Sequence, residues 1–457
     1  MRRLVAAGVA LAVAALAAPT LADPPPVKLA IERYVLDNGL EVVLNEDHRT
    51  PVVAVSIWYR VGSKDDPPGR NGFAHLFEHL MFRGSKNVPS DMHWKYVERA
   101  GGEANAQTYL DWTRYYETLP SNELALALWL ESDRMASLLD RLNQATFATE
   151  REVVQNERRQ NWENAPYGLV GQLISTSFYP KDHPYLLFPI GTSADLDAAT
   201  LDDVRRFFKT FYVPNNASMV IAGDIDRVQA KALVAKYFAP IPRGAPPPVA
   251  VTPVPPKLDG ERRVDIEADV ELAQLIVKWP TPPSFARDDA ELDVAALALG
   301  WGKASRLYKR LVHDLGVAQD VSAGPSTRLL ANEFSVKITL KKGKDPGAAL
   351  KIVDEELERF RRDGPTAAEV ERARSRILLD KVFDAEGLRA RANMLNELIV
   401  YTRDADHFAE SLARYERATP DGVKAAVVRW LPKDARVVAF VWPTPGAPRC
   451  GRLKGTP

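Results

Sequence analysis

The chain has 457 residues, 46% of them hydrophobic, which is enough for two or more domains with substantial cores. Sixty basic and sixty acidic residues give a net charge of zero, so no overall field attracts nucleic acid or an anionic membrane surface. Composition therefore predicts a globular protein and argues against nucleic acid as a partner.

Residues 1–22 have the pattern of a secretory signal peptide. Arg2 and Arg3 precede an apolar run from Leu4 to Ala18 that is short for a membrane span, and Thr20 to Ala22 offers small residues for cleavage. We expect export to a bacterial periplasm and no membrane contact after cleavage, with an uncleaved anchor as the alternative. The single cysteine, Cys450, leaves no internal disulfide.

The mature chain begins with strand signals. Tyr34 to Leu36 and Leu40 to Leu44 flank Asp37-Asn38-Gly39, and Asn-Gly is favoured in the tight turn of a hairpin. Val52 to Val61 predicts a further strand. A loop rich in Gly, Pro and Asp, from Gly62 to Gly72, then leads into a helix.

That helix contains His75-Leu76-Phe77-Glu78-His79. Residues four apart share one helix face, so His75 and His79 can present imidazole nitrogens to one metal ion, with Glu78 beside them. The spacing is the inverse of the commoner His-Glu-x-x-His pattern of zinc peptidases. A five-residue pattern also arises by chance, and the alternative is a pair of ordinary histidines.

Two more strands are predicted at Glu103 to Tyr109 and Thr113 to Leu119, followed by an amphipathic scaffold helix from Asn122 to Leu139. The pattern Thr149-Glu150-Arg151-Glu152 resembles a capping box and predicts a helix that begins at Thr149.

Glu150 and Glu157 are seven residues apart on the predicted helix and so share one face. A charged helix of this kind is usually only a solvated surface. A zinc ion held by two histidines needs a third protein ligand, however, and a carboxylate is a standard one.

The two halves of the chain repeat a pattern. A helix, a proline-containing turn and an apolar strand at Thr200 to Ala222 recur about 219 residues later at Thr419 to Val441, which predicts a duplicated domain. The eight prolines between Ala239 and Pro256 predict an extended linker. We predict an N-terminal domain at 23–240, a linker at 241–258 and a C-terminal domain at 259–457.

The second half repeats the strands, at Arg263 to Ile266 and Leu272 to Trp279, and then a helix from Asp288 to Leu299. At the place of the histidine motif it has Val294 to Leu299, without histidine, so only the first half is expected to bind metal. Thr366 to Glu369 predicts the cap of another long helix.

Five ordered motifs resemble the pitrilysin/insulinase family of zinc metallopeptidases, and more closely its bacterial, mitochondrial-processing-peptidase-like branch. The similarity extends over essentially the whole mature chain. The matching stretches are His75 to Asn87, Gly101 to Thr108, Asp111 to Tyr116, Glu150 to Glu157 and Tyr212 to Ala217.

The resemblance implies a role for each residue of the predicted site. His75, His79 and Glu157 would bind one Zn²⁺ per chain. Glu78 would be the general base, and Glu150 a supporting carboxylate of the catalytic centre. The implied fold is α+β, with two tandem homologous domains that form a two-lobed clamshell, each a mainly antiparallel sheet with helices on one face.

Members of this family bind the substrate as an added strand at an exposed sheet edge. Glu103 to Thr108 matches that edge strand, which makes Asn105 and Ala106 the predicted substrate contacts. The alternative is an ordinary buried strand asparagine. In these family members the edge lies inside a closed chamber between the two lobes, which would favour unfolded peptides as substrates.

The second half departs from the family at two positions. Val312 and Gln319 stand where self-sufficient members carry an arginine and a tyrosine that bind substrate and oxyanion. Arg310 and His313 are the nearby candidates to compensate. We therefore hypothesise a heterodimer in which a homologous subunit without a zinc motif supplies the pair; a homodimer is the alternative.

Taken together, the sequence predicts a periplasmic zinc-dependent metalloendopeptidase that hydrolyses unstructured peptides or small polypeptides. One alternative is a non-catalytic scaffold or peptide-binding subunit of the same fold. Another is a metal-dependent hydrolase of a substrate that is not a peptide.

Overall fold

The computed structural model describes residues 29–248 and 255–455. The predicted signal peptide and part of the predicted linker lie outside these ranges. Within them, no helix combines the length and the apolar character that a membrane crossing requires.

Strands from the first half form one six-stranded sheet in the order β1-β2-β6-β3-β5-β4. Every neighbouring pair is antiparallel except β2 and β6, and β4 lies at an edge. The strands are Ile31–Val35 (β1), Glu41–Glu46 (β2), Val52–Tyr59 (β3), Glu103–Thr108 (β4), Thr113–Pro120 (β5) and Ala217–Gly223 (β6). The helices of this half are Phe73–Leu80 (α1), Met92–Arg99 (α2), Leu124–Ser137 (α3), Gln144–Arg158 (α4), Val170–Phe178 (α5), Ser193–Ala198 (α6), Leu201–Phe211 (α7) and Arg227–Phe238 (α8).

Strands from the second half form a sheet with the order β12-β7-β11-β8-β10-β9, in which only β7 and β11 are parallel. The strands are Arg262–Ala268 (β7), Gln274–Thr281 (β8), Ala318–Pro325 (β9), Asn332–Leu340 (β10), Val437–Pro443 (β11) and Arg452–Leu453 (β12). The helices are Asp289–Leu299 (α9), Arg306–Tyr308 (α10), Pro346–Asp363 (α11), Ala367–Glu386 (α12), Leu388–Thr402 (α13), Phe408–Glu416 (α14) and Pro420–Trp430 (α15).

The two sheets have the same strand connectivity. Strands β7 to β11 repeat the connections of β2 to β6, and β12 occupies the position that β1 takes in the first sheet. The predicted α+β class, with two tandem and mainly antiparallel sheets, is confirmed.

Each sheet also receives a helix from the other half. Ala392, Leu395 and Ile399 of α13 pack against Val43 and Val220 on one face of the first sheet. In return, α5 of the first half packs on β7 and β11 of the second sheet. The central strands are apolar on both faces, so a helix layer on a single face would leave hydrophobic surface in water.

The helix that carries Glu150 begins earlier than predicted. Asn143 is its cap, because the Asn143 side chain accepts hydrogen bonds from the backbone N–H of Ala145 and Thr146, both at 3.0 Å. Thr149 lies inside the helix, where its hydroxyl donates to the Ala145 carbonyl at 3.0 Å. The predicted start at Thr149 was therefore wrong.

Candidate metal centre and active site

The start of α1 fixes the orientation of the histidine motif. Gly72 precedes the helix with a φ of 92°, and a Cβ at this position would lie 2.7 Å from the Gly191 Cα. The buried Asp66 carboxylate accepts hydrogen bonds from the backbone N–H of Gly72 and Ala74, both at 2.8 Å. These contacts satisfy N–H groups at the start of the helix and hold it against the sheet.

The apolar face of α1 turns the motif toward β4. Phe73, Leu76, Phe77 and Leu80 are buried in the first-half core. The opposite face therefore presents His75, Glu78 and His79 to the space between α4 and the edge strand.

The structure brings His75, His79 and Glu157 together. The Glu157 Oε2 lies 3.4 Å from the His79 Nε2 and 3.8 Å from the His75 Nε2. One ligand atom from each residue falls within a 4.8 Å cluster. The Nδ1 of His75 is buried and has no hydrogen-bond partner within the described ranges.

These distances fit a zinc ion. Donor atoms about 2.0 to 2.1 Å from a tetrahedral zinc are about 3.4 Å apart, whereas 3.8 Å is too long for a hydrogen bond. Two imidazoles and one carboxylate are also a usual zinc ligand set.

The proposed metal ligands shift one another's pKa values through their charges. Burial and the neighbouring His79 lower the pKa of His75 to about 4. Burial also opposes a charge on His79, but hydrogen bonding to Glu150 and Glu157 outweighs it and raises the pKa of His79 to about 9. A metal ion must therefore displace a proton from His79 when it binds.

Glu78 has the environment of a general base. Burial raises its pKa to about 7, against the opposing effect of a hydrogen bond that the Thr108 hydroxyl donates to its Oε2 at 2.5 Å. A carboxylate with a pKa near neutrality can both take and return a proton at physiological pH. Because Thr108 belongs to β4, the edge strand and the base are held together.

Glu150 contacts the ring nitrogen of His79 that does not face Glu157. It is 1% exposed, its Oε2 is 3.6 Å from the His79 Nδ1, and its Oε1 is 2.6 Å from the Arg83 Nε. Glu150 thus contacts the second ring nitrogen of a metal ligand, an arrangement that sets the orientation of the ring. This makes it a positioning residue.

Asn161 is a further positioning residue that the sequence reading missed. Its side chain contributes to lowering the pKa of Glu157, after the larger effects of His79 and His75. Asn161 lies four residues after Glu157, in the π-helical turn that continues α4. The i, i+4 spacing was the available signal.

His79 and the proposed base Glu78 border a cavity of about 370 Å³ along β4. Asn105 is exposed there, so the interpretation as a buried strand asparagine is wrong, and its Oδ1 accepts a hydrogen bond from the Ala106 N–H at 2.8 Å. The cavity is lined by Glu78, His79, Phe82, Arg83, Asp91, Trp94, Asn105, Ala106 and Glu150.

Comparison with known proteins identifies the family. Residues 41–184 match the model for insulinase (peptidase family M16), and residues 198–377 match the model for the peptidase M16 inactive domain. The zinc protease PqqE of Helicobacter pylori is 30% identical over 379 residues, which cover 81% of this chain and 83% of PqqE. The chain belongs to peptidase family M16.

Further proteins are similar in sequence or in fold. An uncharacterized zinc protease of Streptomyces coelicolor is 27% identical over 405 residues, which cover 86% of each protein. The crystal structure of a protease from Helicobacter pylori matches with a TM-score of 0.85 and 27% identity, covering 91% of this chain and 100% of that one. The periplasmic protease PqqL from Escherichia coli matches with a TM-score of 0.76 and 18% identity, covering 91% of this chain but 48% of PqqL.

Among the residues that the structure describes, no second-half side chain lines the cavity beside Glu78 and His79. Val312 packs against the second-half core, and Gln319 is exposed at the start of β9. Arg310 is engaged in ion pairs with Glu355 and Glu356. Arg310 is therefore not free to replace the missing arginine.

A second group of residues of metal-binding types lies in the core of the first half. We do not interpret it as a metal site. His93, Glu117 and Glu131 are all buried and close together. However, the His93 Nε2 hydrogen bonds to Glu117 at 2.6 Å, and Glu131 is ion-paired with the buried Arg134. The positive charge of Arg134 compensates the buried carboxylate, as a metal ion would.

The position of Glu150 leads to a prediction for this M16 site. Glu150→Gln should weaken zinc affinity about 10- to 100-fold, because His79 loses the carboxylate behind its Nδ1. Zinc affinity can be measured by competition with a chromophoric chelator. Glu152→Gln, on the exposed side of the same helix, is the matched control, and equal affinities for both variants would contradict the positioning role.

Proposed function

We propose that the chain is a zinc-dependent metalloendopeptidase that hydrolyses unstructured peptides or small polypeptides in a bacterial periplasm. The observation that carries the proposal is the cluster of His75, His79 and Glu157 beside Glu78 at an open sheet edge. Relatives named zinc proteases support the activity, and the signal-like residues 1–22 support export.

His75, His79 and Glu157 would hold the zinc ion. Held by three protein ligands, a zinc ion would polarise the substrate carbonyl and lower the pKa of a water at its open position to about 7. Glu78 would transfer the protons: the Thr108 hydroxyl holds its Oε2, which leaves Oε1 to accept the proton of the attacking water. The water oxygen bonds to the carbonyl carbon, the C–N bond breaks, and Glu78 returns the proton to the leaving amine.

The edge strand would bind the peptide. β4 pairs only with β5 within the described ranges, so its other edge is open to a substrate strand. The Ala106 N–H donates a hydrogen bond to the side-chain oxygen of Asn105. A carbonyl of an incoming peptide would replace that oxygen as the acceptor. Strand addition requires an extended peptide, which favours unstructured substrates over folded proteins.

A homologous subunit would complete the site. The proposal rests on Val312 and Gln319, which offer no cation or phenol for the oxyanion, and on a cavity lined by first-half residues alone. PqqL supports pairing of two such units, because this chain spans 48% of it. A homodimer is the second possibility for the partner.

The test is cleavage of a panel of unstructured peptides by mature protein, residues 23–457, with zinc content measured in parallel. We expect cleavage that is lost after chelation and restored by one equivalent of zinc, while a stably folded protein remains uncut. Bound zinc without cleavage of any peptide, even when the protein is mixed with a homologous subunit, would contradict the proposal and favour a non-catalytic peptide-binding role.

A further inference from the structure

A cavity of about 610 Å³ in the second half is separate from the metal site. It lies between α9, α12, α13 and α14, next to the end of the edge strand β9. None of the roles proposed above uses it.

This second-half cavity is the counterpart of the metal site. The internal repeat of about 219 residues relates β4 to β9, α1 to α9 and α4 to α12. At that spacing Leu297 corresponds to Glu78 and Arg376 to Glu157, and both residues line the cavity. The positions of His75 and His79 correspond to Val294 and Ala298, so the metal ligands are gone while the space between the same elements remains.

The cavity has more acidic than basic side chains. Several of its charges are paired: Arg376 with Asp380 at 2.7 Å, and Arg414 with Asp289 at 2.5 Å. The charged lining consists of Asp289, Asp293, Asp380, Asp384 and Glu397 against Arg376, Lys381 and Arg414.

Two carboxylates of the cavity have neither a hydrogen bond nor an ion pair within the described ranges, the exposed Asp384 and the partly buried Glu397 of α13. Burial raises the pKa of Glu397, and the charges of Lys381 and Arg114 offset that effect only in part. A partly buried carboxylate without a donor can accept one from a bound cation, so Glu397 is the acceptor that this cavity offers.

Aromatic rings complete the lining. Arg414 already covers the rings of Phe285 and Tyr415, at 4.3 and 4.6 Å from their centroids. Trp301 is 63% exposed and has no cation over its ring within the described ranges. An open indole face near an unpaired carboxylate is a favourable setting for an organic cation.

A metal ion fits this cavity poorly. No three of its carboxylates bring oxygens as close together as His75, His79 and Glu157 bring their ligand atoms, judged over residues 29–248 and 255–455. The cavity also contains three cations of its own. Glu397 and Trp301 line the same cavity and take no part in those pairs, which suits a guanidinium or ammonium group.

We propose that the second-half cavity binds an organic cation, a guanidinium or ammonium group, with Glu397 as its acceptor and Trp301 as its aromatic wall. The cation comes either from a basic side chain of a bound peptide, in which case the inference rests on the proposed function, or from a free alkyl cation. Arg114 interacts electrostatically with both Glu78 and Glu397, so the two sites share a charged neighbour.

The test uses zinc-loaded mature protein with Glu78→Gln, in which peptides bind without being cut. One arm compares two unstructured peptides that differ only in one arginine replaced by its neutral isostere citrulline. A second arm titrates agmatine, a free alkylguanidinium. Because binding is measured in a variant without the general base, failure of cleavage and failure of this site are distinguishable.

We expect the arginine peptide to bind about 10- to 100-fold more tightly than the citrulline peptide, as for hydrogen bonds to a charged group. Adding Glu397→Gln should remove this difference in affinity, and Trp301→Ala should reduce it. Glu416 is an exposed acid of α14 outside the cavity, so the control Glu416→Gln should preserve the difference. Agmatine that competes with the arginine peptide identifies a site that also accepts free cations; agmatine without effect assigns it to peptides.

The proposal is overturned if the two peptides bind equally and agmatine does not bind. It is equally overturned if binding of both cations survives Glu397→Gln and Trp301→Ala. Trp301 is largely exposed, so its replacement tests the site even if the Glu397 variant does not fold.

Discussion

Replacing Glu78 with glutamine is expected to lower kcat by about 10²- to 10⁴-fold while zinc stays bound. The amide keeps the size of the carboxylate and can still accept the Thr108 hydrogen bond that now measures 2.5 Å. It cannot accept the proton of the attacking water. The ligands His75, His79 and Glu157 are unchanged, so peptide hydrolysis and metal content should separate in this variant.

Glu98→Gln provides the matched control, because Glu98 is an exposed glutamate of α2 outside the cavity. It should retain both wild-type kcat and wild-type zinc. Rates are best compared at saturating peptide, so that an effect on binding is not taken for an effect on chemistry. If Glu78→Gln retains more than a tenth of the wild-type kcat, Glu78 is not the general base.

The site was largely readable from the sequence because its spacing is local. His75 and His79 need only a helix to share a face, and Glu157 follows Glu150 by two turns of one helix. The spacing did not show which of the two glutamates, Glu150 or Glu157, faces both histidines. Only the fold shows Glu157 facing both imidazoles while Glu150 contacts the outer nitrogen of His79.

The helix start shows how a local pattern misleads. Thr149 and Glu152 have the spacing of a capping box, but the box works only where backbone N–H groups lack partners. Asn143, six residues earlier, takes that place by bonding to Ala145 and Thr146. Inside a helix the same threonine simply bonds back to the preceding turn, as Thr149 does to Ala145.

The exchange of helices between halves could not be predicted from periodicity. Nearly continuous apolar runs such as those of β3 and β6 are typical of strands buried on both faces, yet nothing local identifies the covering element. It is α13, more than 150 residues further along the chain than β6. Contacts of this kind depend on the global arrangement, as does the second-half cavity, whose Glu397 belongs to the same helix.

The second effect that we expect to be large concerns the residues at positions 312 and 319. In wild type, Val312 and Gln319 offer no positive charge or phenol, and loss of one oxyanion donor typically lowers kcat about 10²- to 10³-fold. A copy carrying Val312→Arg, Gln319→Tyr and Glu78→Gln cannot hydrolyse peptides itself. Mixed with wild type, it should raise kcat per wild-type site by about 10²-fold, because it supplies the pair to the intact zinc site of its partner.

The design separates action between chains from action within one chain. Activity should rise with the concentration of the added copy and saturate as the pair of chains forms, whereas a copy with Glu78→Gln alone should add nothing. Val312 packs against the second-half core, so the thermal midpoint of the triple variant must first be shown to match that of Glu78→Gln. If a folded triple variant associates with wild type and leaves kcat unchanged, these two positions do not serve the partner's site. If the same two substitutions raise the kcat of a chain with Glu78 intact, with no dependence on concentration, the pair acts within its own chain and the proposed partner is unnecessary.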